Sequence, residues 1–321
     1  MSSVSRLKDD AVGFGYRTGW KAVRALPEPV AARLFRAAAD AATRRRGPGV
    51  RQFARNMMRV LGDQATPASL HAVTQAGMRS YARYWLETFR LPSMDHAAVI
   101  RSAIAGSTGL EHVTAGVESG RGVLMSLPHS GNWDIAGLMI SHLYGGLATV
   151  AERLKPDSLY EEFVGYRESL GMEVLPLTGG TVPASQVLQE RLREGRVVCL
   201  LGDRDLTSRG VPVTFFGEET RMPAGPAMLA ALTGADLLPA HLTYSDGGWR
   251  HQISPPVALP GVRLADQVRG GTQILADHYA AGIAAVPADW HMLQPLWPAD
   301  LSPERRARYD SGTSAKPGGG G

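Results

Sequence analysis

The chain of 321 residues has a single cysteine, Cys199, so no disulfide can tie one part of it to another and no cysteine-rich metal site can form. That thiol lies in the apolar run Val197-Val198-Cys199-Leu200-Leu201, which predicts a small buried core residue and suits a reducing compartment. Long apolar runs are missing too. No window reaches the ~18 uninterrupted apolar residues that crossing a bilayer takes, and the best candidate, residues 135–151, contains Ser141, His142 and three glycines. No basic segment leads into an apolar stretch and a cleavage site, so no signal peptide is expected.

Several chemical signatures are also lacking. Without a Gly-x-Ser-x-Gly elbow there is no α/β-hydrolase nucleophile, and without Gly-x-x-x-x-Gly-Lys-Ser/Thr there is no phosphate loop. The nine histidines show no zinc-binding spacing. No internal repeat is visible. Acid-base chemistry is what these exclusions leave.

What is present begins with charge. The net charge is +4, but residues 1–60 hold 13 Lys and Arg against 4 Asp and Glu, a balance of +9, so the other 261 residues sum to −5. Such a block suits nucleic acid or an anionic membrane. No nucleic-acid motif accompanies it, so no nucleic-acid partner is expected.

Residues 10–91 carry helical periodicity. Phe14, Trp20 and Val23 mark a first helix, and a second from Pro29 ends in Arg44-Arg45-Arg46. A third carries Phe53 and Met57, and a longer one from Pro67 carries Tyr81, Tyr84, Trp85 and Phe89. Most of these aromatics fit a core. Some of them, with Arg33, Arg36, Arg51, Arg55 and Arg59, also suit a lipid interface.

From about Gly120 the pattern becomes strand, helix, strand: apolar strands at 123–127, 147–150, 172–175 and 197–201, with helices at 133–143, 159–170 and 182–192 between them. A long loop, a helix at 224–233, a hairpin at 237–244 and 249–254, and a helix at 264–285 follow. Near-continuous apolar strands separated by helices predict an α/β fold, a mainly parallel central sheet flanked by helices. The expected organisation is an N-terminal helical, membrane-docking layer over 1–100, an α/β core over 101–300 and a flexible tail over 301–321, of low complexity from Ser311.

Ligands of parallel sheets collect beyond the carboxyl ends of strands, where Leu127-Pro-His-Ser-Gly-Asn-Trp-Asp134 places His129 and Asp134. A turn through Ser130, Gly131 and Asn132 can fold the aspartate back to fix the imidazole tautomer and leave its other nitrogen as a base. Equally, Asn132 or Asp134 can simply cap the next helix, with His129 an ordinary loop residue.

His129-Ser-Gly-Asn-Trp-Asp134 resembles the H-x4-D motif of glycerolipid and lipid A acyltransferases. It is followed in order by Gly165-Tyr-Arg167, Gly202-Asp203-Arg204-Asp205, Phe215-Phe216-Gly217 and Met222-Pro223-Ala224-Gly225-Pro226. That set, spanning residues 10–300, is similar to the branch holding the bacterial lipid A and phosphatidylinositol mannoside acyltransferases. Asp205-Leu-Thr207 and the late Asp289-Trp-His-Met-Leu-Gln-Pro-Leu-Trp297 look most like the mannoside enzymes. The resemblance implies transfer of a long acyl chain from acyl-CoA to a mannose hydroxyl of a mannosylated phosphatidylinositol, with His129 as general base and no cofactor. It implies Asp203, where glutamate is common in those enzymes, as a partner of His129 beside or instead of Asp134. Arg167, Ser130, Asn132 and Arg204 become substrate-binding residues, with Asp205 structural. A peripheral enzyme on the inner, cytoplasmic face of the cell membrane is then expected. The alternatives are a lipid A-type enzyme using acyl carrier protein and a peripheral lipid-binding protein.

Overall fold

The computed structural model describes residues 19–152, 157–205 and 210–313, so Phe14 and Thr207 lie outside the described residues. Residues 19–25 are helical. They are followed by α1 (Glu28–Arg45), α2 (Pro48–Leu61), α3 (Pro67–Arg90), α4 (His96–Ala105), β1 (Ser107–Thr108) and α5 (Leu110–Glu118). The core continues as β2 (Val123–Leu127), α6 (Trp133–Tyr144), β3 (Leu147–Ala151), α7 (Asp157–Glu168), β4 (Met172–Pro176), α8 (Ala184–Arg193) and β5 (Val197–Leu201). Then come β6 (Val211–Phe215), β7 (Glu218–Met222), α9 (Gly225–Thr233), β8 (Asp236–Ser245), β9 (Gly248–Ile253), α10 (Leu264–Ala285) and α11 (Pro303–Thr313).

Seven strands form one sheet in the order β1-β9-β8-β2-β5-β3-β4, and every neighbouring pair is parallel except the β8–β9 hairpin. All five residues of β2 are buried, as a strand covered by helices on both faces requires. The chain leaves β2 for β3 on one side and returns to β8 on the other. The carboxyl end of β2 is therefore a point where the direction of winding changes, and a crevice opens there.

The parallel sheet and its crossover helices match the sequence expectation. Three regions differ. The loop expected after β5 contains the hairpin β6–β7, whose Phe215 packs against Trp290 and Trp297. Two unforeseen helices, α4 and α5, and the short β1 complete the sheet edge. Within the expected flexible tail, residues 303–313 are helical with Tyr309 buried beneath Arg221, because an aromatic ring offered a cation and a pocket gains by docking.

The N-terminal helices are built into the body. In α3, Thr66 and Ser69 form a reciprocal cap on Pro67 at the first helical position, an arrangement that satisfies otherwise orphaned N–H groups. Trp20 is buried among Phe89, Phe163 and Tyr166, linking the first turns to α3 and α7. The aromatics are thus mainly core. Arg59, counted among cations for a lipid interface, instead bonds Glu218 and Asp300 and lies over Trp297.

Two histidines in the sheet are held neutral. Burial lowers both His241 on β8 and His251 on β9 to about 4. Unfolded imidazoles take up protons near pH ~6.5. Below that pH the unfolded chain binds more protons than the folded one, and stability falls until the buried rings titrate. The urea midpoint should therefore drop between pH 6.5 and 4, and His241→Leu, which cannot protonate, should flatten the drop. A midpoint independent of pH in this window would contradict the account.

Candidate active site

The turn after β2 is shaped by short-range contacts. Gly131 has φ +56°, and a Cβ there would sit 2.7 Å from the Leu242 carbonyl carbon, so only glycine passes this point without strain. Asn132 caps α6, its Oδ1 accepting the N–H groups of Asp134 and Ile135 at 3.1 Å each. Its Nδ2 donates to Glu87 Oε2 at 2.8 Å, and the same oxygen accepts the Trp249 indole N–H at 2.9 Å. Ser130 is fully buried, and its Oγ accepts the Leu242 N–H at 3.4 Å. The side chains of Ser130 and Asn132, expected to meet substrate, are instead committed to holding the turn.

His129 and Asp134 diverge. The imidazole Nδ1 lies 2.5 Å from Asp203 Oδ1, and the His129 backbone N–H donates to Asp203 Oδ2 at 3.0 Å. Asp203 stands just past β5, the strand beside β2. Gly202 lets it approach: a Cβ at 202 would meet the Tyr279 hydroxyl at 2.3 Å and the Ser126 hydroxyl at 2.7 Å. Asp203 is 1% exposed. Burial pushes its carboxyl up, but the His129 charge, the imidazole bond, the Trp290 indole and the His129 N–H together hold it below the usual carboxylate range. An ionised Asp203 fixes the proton on Nδ1 and leaves Nε2 as a lone-pair base.

Asp134, fully buried, faces away into the helical layer. Arg167 Nε donates to its Oδ1 at 2.8 Å, and the Tyr84 and Thr88 hydroxyls donate to Oδ2 at 3.1 and 3.3 Å. Burial pulls the Arg167 guanidinium down, but Asp134 and the neighbouring tyrosines more than offset this and keep it charged. The choice between two carboxylates for His129 thus falls to Asp203, and Arg167 has a protein carboxylate for its partner. Asp205 accepts the Gly210 N–H at 2.7 Å, the structural part expected of it.

His129 opens onto a groove of about 560 Å³, within the range of ~300–1,000 Å³ common for ligand sites. Leu177, Leu188, Leu200, Leu201, Met228 and Leu229 supply apolar walls, while Glu152 and Arg204 supply charge. Burial lowers the Arg204 guanidinium, and its buried Nε has no hydrogen-bond partner among the described residues. The start of α9, Ala224-Gly225-Pro226, also lines the groove and, among the described residues, carries no side-chain cap, so the positive end of its dipole lies there. Beyond Val150 and Leu201 a small cavity of about 70 Å³ reaches Asp134, Arg167 and Cys199. Cys199 is consequently only half-buried, less than its apolar run predicts, though its surroundings still push the thiol up to about 12. Among the described residues no cluster of His, Cys, Asp and Glu could hold a metal ion.

Sequence reasoning missed Trp290, whose indole N–H donates to Asp203 Oδ2 at 2.8 Å. It also missed the backbone around it. Trp290 pairs with Ser130 in an antiparallel bridge, the Gly131 N–H donates to the Asp289 carbonyl at 2.9 Å, and the His291 N–H donates to the His129 carbonyl at 2.7 Å. Only the late Asp289-Trp-His block signalled the segment.

A family model for bacterial lipid A biosynthesis acyltransferases matches residues 5–299. A phosphatidylinositol mannoside acyltransferase of Mycolicibacterium smegmatis is 51% identical over 295 residues, which is 92% of this chain and 94% of that protein. Two of the same description from strains of Mycobacterium tuberculosis are each 50% identical over 311 residues, 97% of this chain and 95% of theirs.

The geometry assigns Asp134 to stability. Asp134→Ala would leave the partly buried Arg167 without its carboxylate, a loss of about 3 kcal/mol, the lower end for breaking a buried pair from one side. Urea denaturation should read it directly, and a variant as stable as the parent would refute the assignment.

Proposed function

The chain belongs to the bacterial lipid A biosynthesis acyltransferase family, and from that membership we propose that it moves a long acyl chain from acyl-CoA to a mannose hydroxyl of phosphatidylinositol mannosides. The acceptor follows the description of its half-identical relatives. The observation that carries the mechanism is the bond between His129 and a buried, ionised Asp203 at the mouth of an apolar groove.

The reaction exchanges a thioester for an ester. Nε2 of His129 takes the hydroxyl proton as the alcohol oxygen attacks the thioester carbonyl, and Asp203 stabilises the imidazolium that forms. The carbonyl oxygen becomes an oxyanion, for which the uncapped start of α9 is our candidate donor group. Collapse breaks the carbon–sulfur bond, and the proton passes from Nε2 to the departing thiolate. The acyl group never bonds to the protein. The apolar walls suit the acyl chain, and Arg204 suits an anionic group of either substrate.

An enzyme whose acceptor is an anionic lipid works at a membrane surface. Among the described residues no helix is long and apolar enough to cross a membrane, so we assign peripheral docking at the inner face. The exposed face of α1 supports this, with Leu34 55% and Val30 40% exposed beside Arg33 and Arg36, and Arg44, Arg45 and Arg46 at its end. Cations near an anionic surface contribute about 1 kcal/mol each.

His129→Ala should abolish transfer, and because it also strips the buried Asp203 carboxylate of one donor, a stability loss of about 1–3 kcal/mol with the fold retained is expected. Purified protein incubated with labelled palmitoyl-CoA and mannosylated phosphatidylinositol, beside a lipid A precursor, tests the acceptor. Transfer to lipid A alone would favour a lipid A-type enzyme, and transfer to neither acceptor, with acyl carrier protein as donor as well as CoA, would restore the lipid-binding reading. Neutralising Arg44, Arg45 and Arg46 together should weaken sedimentation with anionic liposomes at low salt and matter little at high salt. Unchanged partition would exclude this docking face.

A further inference from the structure

Asp203 Oδ2 accepts two hydrogen bonds, from the His129 backbone N–H and from the Trp290 indole, while Oδ1 faces the imidazole. The first donor belongs to the very residue being oriented. Trp290 is therefore the independent anchor. It is fully buried, its ring edge-on to Phe215 and Trp297 and tilted against Phe216, so the indole cannot turn away without breaking an aromatic stack.

We propose that Trp290 is a positioning residue for acyl transfer, acting through Asp203 to hold the carboxylate plane against His129 and to temper how strongly it binds the imidazole proton. This rests on the reading of His129 as general base. A carboxylate stripped of one donor keeps more charge for its remaining partners, so loss of the indole N–H makes Asp203 bind the Nδ1 proton more tightly and raises the imidazole's affinity for a second proton. The carboxylate also gains freedom to rotate, which degrades the aim of Nε2. Glu152 and Asp205, which line the groove with His129, are the same in parent and variants and so cannot account for a difference between them. Arg204 stays a cation at neutral pH despite the pull of burial, Tyr279 beneath Asp203 is held neutral well above its ordinary range, and burial lowers His291 behind His129 to about 3.

The test compares full-length parent, Trp290→Phe and a variant carrying benzothienylalanine at 290, whose sulfur replaces the N–H while nearly preserving ring volume. Expected for both variants is a fall of about tenfold in kcat with KM within about twofold. The acid limb of the rate profile and the His129 midpoint from imidazole NMR should rise by about one pH unit. A purely structural Trp290 would be satisfied by the benzothienyl ring. An unshifted or lowered His129 midpoint in that variant, with parental kcat, would overturn the proposal even if Trp290→Phe misfolds. The NMR titration needs no turnover. Should the parent itself transfer nothing, the base assignment fails on that result, while the midpoint still decides whether Trp290 tunes His129.

Discussion

One buried negative charge organises the site. Asp203 sits at the end of β5, fully desolvated, and is tolerable there only because donors converge on it from the β2 turn and from residue 290. An ionised carboxylate without them would neutralise itself. The same donors that make the charge affordable give the imidazole its tautomer and direction. The need for a glycine at 202 and the antiparallel pairing of 129–131 with 289–291 follow from that single requirement.

A second polar network supports the first from below. Asp134, Arg167, Tyr84 and Thr88 form one cluster, and Glu87 gathers Arg83, Asn132 and Trp249 into another. Both depend on α3, so a helix that reads as membrane-facing cover is also the floor of the turn. The H-x4-D spacing thus serves two neighbouring networks, with the histidine turned to the groove and the aspartate, five residues on at the start of α6, facing α3 and α7.

Much of this architecture was legible in the sequence because buried parallel strands must be continuously apolar. Residues 123–127, 147–150 and 197–201 announce themselves that way, and the last long helix was read over 264–285, the bounds of α10. The hairpin β6–β7 was hidden because Gly210-Val-Pro-Val-Thr-Phe215 alternates exposed and buried positions and carries a proline suited to an edge strand. The histidine and both carboxylates could be named, but not their pairing. Which of two aspartates reaches a ring depends on a strand crossing made about seventy residues later, and periodicity is blind to that. Trp290 was invisible for the same reason, since nothing local distinguishes an indole that packs from one that also donates.

The bridge between Ser130 and Trp290 also has a bearing on how the molecule comes into being. Contacts joining 80 to 289, 87 to 249 and 130 to 290 close some of the longest loops among the described residues, and such closures come late because their entropy is met only after local structure exists. The basic helices are made before these partners and can assemble among themselves. His129 acquires its Asp203 and Trp290 support only after residue 290 has been made, so a chain halted before that point carries the turn without the contacts that aim it.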